Sequence, residues 1–200
     1  MHIYLTRHGQ TQWNLINKIQ GHLDSPLTDQ GIADAKNLGL RLKDIKFDIA
    51  YSSDQKRAID TAEIILDSRA PLKTTKALRE IGVGQWEGMF YEDIQRLYPE
   101  NFKLYKTDPE KYVASPGGED YKDFEKRVKD FVEDLKKSPY ENILIVTHGL
   151  TYMMLLNIFE AKALKEITKR VLPHGTGLSH IEYDQGTFKI LAENCIEHLE

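Results

Sequence analysis

The sequence predicts an α/β fold: a three-layer sandwich with a mostly parallel central sheet, helices on both faces and a small lid insertion. Two observations carry this. Residues 2–6 (HIYLT), 47–51 (FDIAY) and 143–147 (ILIVT) are short, continuous apolar runs, the pattern of strands buried on both faces. The segments between them place apolar residues at helical spacing, and strands alternating with helices build a layered domain.

The elements follow in order. The first run ends at Arg7-His8-Gly9. Thr28 predicts the N-cap of a helix over 28–43, with Ala35, Leu38 and Leu42 on one face. The run at 47–51 ends at Ser52-Ser53-Asp54, and Ser53 reads as the cap of a helix over 54–67 that aligns Ala58, Thr61, Ala62 and Ile65. Residues 72–77 are a weaker strand leading into Arg79-Glu80. Residues 85–118 have the poorest periodicity and contain Pro99, Pro109 and Pro116. Their aromatics, among them Trp86, Tyr91, Phe102, Tyr105 and Tyr112, fit either a lid that walls a pocket or a small helical cap with its own minor core. Residues 120–137 show the clearest helical period: Phe124, Val128, Phe131, Val132, Leu135. The third run ends at His148-Gly149, and the almost wholly apolar stretch 150–160 predicts a buried helix. The tail reads as a hairpin turned at Gln185-Gly186.

Two hundred residues fit one domain, 1–200, carrying the insertion. The net charge of -4 and the lack of a Lys/Arg stripe argue against a nucleic-acid partner. A single cysteine, Cys195, allows no intrachain disulfide and no zinc spacing; it reads as a small apolar residue near the end of the last strand. The opening MHIYLTRHG has no basic n-region, and no apolar run approaches a membrane span, so the expectation is a cytoplasmic protein with no membrane partner. A homodimer is compatible with the sequence. Leu199 and Glu200 match a pair that a cloning scar would leave.

Each predicted strand ends at a polar motif, and in parallel α/β sheets ligands bind outside the carboxyl ends of the strands. Arg7-His8-Gly9, Ser53 to Arg57 and Thr147-His148-Gly149 are therefore expected to converge. The helix N-termini that follow point N–H groups at the same place, which suits an anion. Arg7 and Arg57 match phosphate oxygens as bidentate forks, and Asn14 adds an amide donor. Of the two histidines, one can attack phosphorus while the other donates to a phosphoryl oxygen. Neighbouring cations favour neutral imidazole, which leaves a lone pair free. Taken singly, each motif has a structural explanation; their joint placement at strand ends points to function.

LTRHGQTxWN at 5–14 resembles the signature of the histidine phosphatase superfamily, also called phosphoglycerate mutase-like. The resemblance continues in order with QGHLDSPLTDQG at 20–31, YSSDQKRA at 51–58, LREIGVGQWEG at 78–88 and VTHG at 146–149. It implies that His8 is the phosphorylated nucleophile and that Arg7, Asn14, Arg57 and His148 form the phosphate pocket. It also implies that Glu80 protonates the leaving oxygen and then deprotonates water, so that this acid must hold its proton near neutral pH. Gln20, Gly21, His22 and Gly149 are assigned to substrate binding. No metal and no cofactor are implied, because the arginines, His148 and helix ends supply the charge stabilisation. Gly82 and Val83 stand where the family often has an acidic and an aromatic residue, so the backbone beyond Glu80 is expected to run differently. His174 reads either as a substrate contact or as a surface-loop residue.

The expected activity is hydrolysis of a small-molecule phosphate ester. The main rival is a cofactor-dependent phosphoglycerate mutase, and a more distant one a non-catalytic phosphate-binding module. Gln20 stands where mutases resemble each other in having serine. Residues 85–120 hold eight acidic and four basic residues, which poorly suits a compact polyanion. The nucleophile, the acid and both arginines are all present, which argues against a bare binder.

Overall fold

The computed structural model describes residues 1–199; Glu200 lies outside the described residues. Six strands form one sheet in the order β3-β2-β4-β1-β5-β6. Strands β1 (His2–Arg7), β2 (Ile49–Ser53), β3 (Leu72–Thr75) and β4 (Asn142–Thr147) run parallel. The C-terminal hairpin, β5 (Leu178–Asp184) and β6 (Thr187–Cys195), adds antiparallel to β1 and forms one edge. Gln185 and Gly186 turn it, both in the left-handed region (φ 46° and 84°), as a two-residue hairpin loop of this kind requires.

The central strands are apolar on both faces. Ile3 and Leu5 of β1 and Ile143 and Ile145 of β4 pack into a core with α6 (Tyr121–Lys136) and α7 (Gly149–Phe159). The alternate residues Tyr4, Leu144 and Val146 pack with α2 (Asp29–Arg41) and α3 (Lys56–Leu66). This is the three-layer arrangement expected from the continuous runs, since successive strand side chains point to opposite faces and both faces are covered.

The boundaries differ in instructive places. Strand β2 begins two residues later than its apolar run and continues through Ser53, so Ser52 and Ser53 are buried inside the sheet, Ser52 opposite Val146. Ser53 is therefore not the cap of α3. Gln55 occupies that position without a side-chain bond. The free amides of Lys56 and Arg57 are taken instead by the carboxylate of Asp24, at 2.6 and 3.3 Å, from a loop far away in sequence. A one-turn helix, α1 (Gln12–Leu15), was not anticipated; Thr11 and Asn14 close it as a reciprocal capping pair.

Residues 85–118 contain α4 (Tyr91–Leu97) and α5 (Pro99–Thr107). The aromatics do not form a minor core of their own. Trp86 is fully buried, with the rings of Tyr98, Phe102, Tyr105 and Tyr112 centred 5.8–6.0 Å from it, and this cluster is continuous with the core on the α6/α7 face. Tyr91 and Tyr105 instead line cavities.

Close backbone approach ties the loop after β1 to α2. A Cβ on Gly9 would stand 2.6 Å from the carbonyl oxygen of Gly31, inside contact distance, so neither segment moves without the other.

Because Trp86 joins residues 85–118 to the main core, Trp86→Ala is expected to cost ~3–5 kcal/mol of global stability in urea unfolding. A loss well under ~1 kcal/mol would show that this segment is not part of the cooperative core.

Candidate active site

Strands β1 and β4 are neighbours in parallel register, Arg7 opposite Thr147, so the residues that follow both strands emerge side by side. The backbone N–H of His8 donates to Thr147 O at 2.8 Å, and the rings of His8 and His148 lie edge to face with centroids 5.2 Å apart. Both histidines are buried. Arg57 enters from the first turn of α3, and Glu80 from the loop after β3. Arg7, His8, Asn14, Arg57 and Glu80 together line a cavity of ≈ 90 Å³.

Burial, then Arg57, then Arg7 drive the His8 imidazole well below the usual histidine range. The ring is neutral at physiological pH. Its Nδ1 donates to the carbonyl of Gly9 at 2.7 Å, the tautomer that leaves an unprotonated lone pair on Nε2. His148 is shifted the same way, first by burial and then by Arg57, His8 and Arg7. Neither of its ring nitrogens has a hydrogen-bond partner among the described residues.

The guanidinium of Arg57 is held at three acceptors: Leu23 O (2.7 Å), Asp24 Oδ1 (3.0 Å) and Gly21 O (3.0 Å). Arg7 donates from Nη1 to Pro173 O at 2.9 Å. Burial lowers both from the ordinary arginine value; Glu80 opposes this for Arg7, and Asp24 for Arg57. Both remain cations. The Nε of each is buried without a partner, as are the His148 nitrogens. Buried donors are rarely left empty, so the unpartnered Nε–H groups of Arg7 and Arg57 on the cavity wall fit an anion with several acceptor oxygens, and neutral His148, beside His8, carries one further N–H.

Glu80 is pinned at the opening of α7. Its Oε1 accepts from the N–H groups of Ile81 (3.1 Å) and Thr151 (3.2 Å), and its Oε2 from that of Leu150 (3.1 Å). Gly149, the first residue of that helix, lines the cavity; a Cβ there would stand 2.7 Å from Leu172 Cδ1.

The remaining expected residues divide. Asn14, Gln20 and Gly21 line the cavity. Gln20 donates to Thr11 Oγ1 at 3.0 Å, and Thr11 donates to Asn14 Oδ1, which fixes the Asn14 amide. His22, also assigned to substrate, is not among the residues that line the cavity. It is exposed, and its Nε2 lies 3.0 Å from the carbonyl of Glu80, with its ring against Gly82. A glycine at 82 is what leaves room for that ring. His174 also lies outside the cavity, exposed and bonded to Gly175 O.

Two residues were missed. Arg127 on α6 grips Glu119 with two bonds and donates to the carbonyls of Ala77, Arg79 and Glu80, so it braces the segment that carries the acid. The sequence signal was an arginine beside the apolar stripe of α6, one residue before Val128. Asp24 lies inside the matched second motif, and its role as anchor of Arg57 and cap of α3 needed the tertiary contact to appear.

A profile of the histidine phosphatase superfamily (branch 1) matches residues 3–196. The chain belongs to this superfamily. The solved structure of Bacillus stearothermophilus YhfR superposes with a TM-score of 0.94 at 36% identity, covering 100% of this chain and 99% of that one. The adenosylcobalamin/alpha-ribazole phosphatase of Escherichia coli is 34% identical over 150 residues, 74% of this chain and 73% of its own. A 2,3-bisphosphoglycerate-dependent phosphoglycerate mutase of Mesorhizobium japonicum is 36% identical over 185 residues, 88% of each chain.

The neutral histidines have a consequence for stability. Unfolded histidines titrate near ~6.5, so below that pH the unfolded chain binds protons that folded His8 and His148 refuse. Stability is therefore full above that value and falls as pH drops through it. The melting temperature is expected to decline between pH 7 and 5.5, above the range where the lowered carboxylates of Asp54 and Glu160 titrate. Replacing both histidines by asparagine should flatten much of this slope. Some will remain, because His180 and His198 are shifted in the same direction. An unchanged slope in the double variant would mean that the site histidines are not its source.

Proposed function

We propose that the protein is a metal-independent phosphomonoesterase that hydrolyses a small phosphate ester through a phosphohistidine at His8. The observation that carries this is the His8 tautomer. With Nδ1 tied to Gly9 O, the neutral Nε2 is the nitrogen left to attack, in a cavity lined by two arginines. The phosphatase and mutase relatives agree with phosphoryl chemistry at such a site. Among the described residues no group of three or more His, Cys, Asp or Glu side chains is placed to hold a metal ion.

In the first step Nε2 of His8 bonds to phosphorus as the ester P–O bond breaks. Arg7, Arg57 and the Asn14 amide hold the three equatorial oxygens, and His148 donates to one of them. Glu80 gives its proton to the departing alcohol oxygen. In the second step Glu80 takes a proton from water, the hydroxyl oxygen bonds to phosphorus, and the P–N bond breaks to restore neutral His8. The N–H bonds from α7 hold Glu80 in one place for both transfers.

Water rather than a second substrate hydroxyl is the acceptor in this reading. The walls that α4 and α5 lend to the catalytic cavity are Tyr91 and Tyr105, which offer no cation to a second phosphate. Incubation with 3-phosphoglycerate separates the two reactions. Free phosphate supports hydrolysis, whereas efficient formation of 2-phosphoglycerate would make the enzyme a mutase.

A phosphoramidate is acid-labile and survives alkali. A reaction with labelled ester, run with chelator and quenched in base, is expected to leave label on the peptide containing His8. His8→Ala should remove both label and nearly all turnover. Label elsewhere, near-normal turnover of that variant, or loss of activity to the chelator would overturn the corresponding part of the mechanism.

Glu80→Gln should lose ~10²–10⁴-fold on alkyl esters and much less on esters of acidic phenols, whose oxygen departs without a proton. Equal losses on both would take the role of acid away from Glu80.

A further inference from the structure

A second cavity of ≈ 540 Å³ adjoins the catalytic one. The two share Tyr91, Tyr105, Leu150 and Leu172 as walls, so they are compartments of one cleft. Small-molecule pockets run to roughly 300–1,000 Å³, a range that includes the second compartment and excludes the first. The small compartment suits a phosphoryl group. An ester bound there has its alcohol directed to the shared walls and the larger space beyond them.

The chemistry of that space is distinctive. Beyond the shared walls it is lined by the ring of Tyr121 and the side chains of Met153 and Ile167. The Tyr121 hydroxyl is already spent, donating to Tyr105 O at 2.9 Å. Two cations reach the lining. Arg170 pairs with Glu160 and with Glu193, and the Lys106 ammonium sits 4.3 Å above the centre of the Phe102 ring. No carboxylate lines the cavity. Such walls offer mainly ring faces, a thioether and aliphatic surface.

From this, and resting on the phosphohydrolase reading above, we infer that the substrate is the phosphate monoester of a bulky alcohol with a flat ring system, which occupies the cavity walled by Tyr91, Tyr121, Met153 and Ile167. A compact phosphorylated amino or hydroxy acid leaves this compartment empty.

The test uses esters of primary alcohols, so that differences in leaving-group basicity stay small: ethyl phosphate, O-phosphoserine, benzyl phosphate and 2-naphthylmethyl phosphate. The full-length enzyme is expected to hydrolyse 2-naphthylmethyl phosphate with kcat/KM at least ten-fold above ethyl phosphate and O-phosphoserine, with benzyl phosphate between. Thr168, a part-buried residue of the same wall, allows the space to be filled. Thr168→Trp should bring the naphthylmethyl-to-ethyl ratio close to one, and Thr168→Ala should preserve it. A wild-type ratio below ten-fold, or one that survives Thr168→Trp in a folded enzyme, overturns the inference. If the tryptophan variant does not fold, the wild-type ratios decide alone. Phosphate release from all four esters at similar rates would leave the hydrolase reading standing and remove only this inference, whereas release from none would remove both.

Discussion

Two guanidiniums buried beside two imidazoles set the conditions for everything else in this molecule. Arg7 and Arg57 are cations on the cavity wall, and burial first, with their charge adding to it, holds His8 and His148 neutral. Placing charge there is costly, and the fold compensates with fixed acceptors rather than with water. Arg57 has three of them and Arg7 one, all but Asp24 being backbone carbonyls. Those carbonyls come from the 21–24 loop and from Pro173. The loops that wrap the carboxyl end of the sheet are thus tied to the same charges that bind substrate.

The same requirement explains why the site sits where β1 and β4 adjoin. Two parallel neighbours in register deliver His8 and His148 at the same height, and β2, on the other side of β4, delivers α3 with Arg57. Glu80 is then set by a second network, Arg127 and His22 on its carbonyl and the α7 amides on its carboxylate. The nucleophile side is rigid because the sheet is rigid. The acid side is rigid because several long side chains converge on one short loop.

The cleft divides its labour by dielectric and charge. Its narrow end presents unpaired arginine nitrogens to an anion, while its wide end presents mainly aromatic and aliphatic surface. Residues 85–118 serve both ends, with Trp86 and its neighbouring rings as internal ballast and Tyr91 and Tyr105 facing the cleft.

Much of this was legible in the chain itself. Short continuous apolar runs alternating with helical patterns read as strands covered on both faces, so the layered α/β fold and the polar motifs at strand ends followed from periodicity, and the motif order carried the family. The Thr28 cap and the Gln185-Gly186 turn were legible because caps and turns are local chemistry. What the sequence alone could not decide depends on contacts between distant residues. Strand order, the replacement of Ser53 by Asp24 as the cap of α3, the bracing of Glu80 by Arg127 and the outward placement of His22 are of this kind. Each is settled by which side chain reaches an unpaired backbone group first, and that is a matter of three-dimensional distance, which no local pattern of residues encodes.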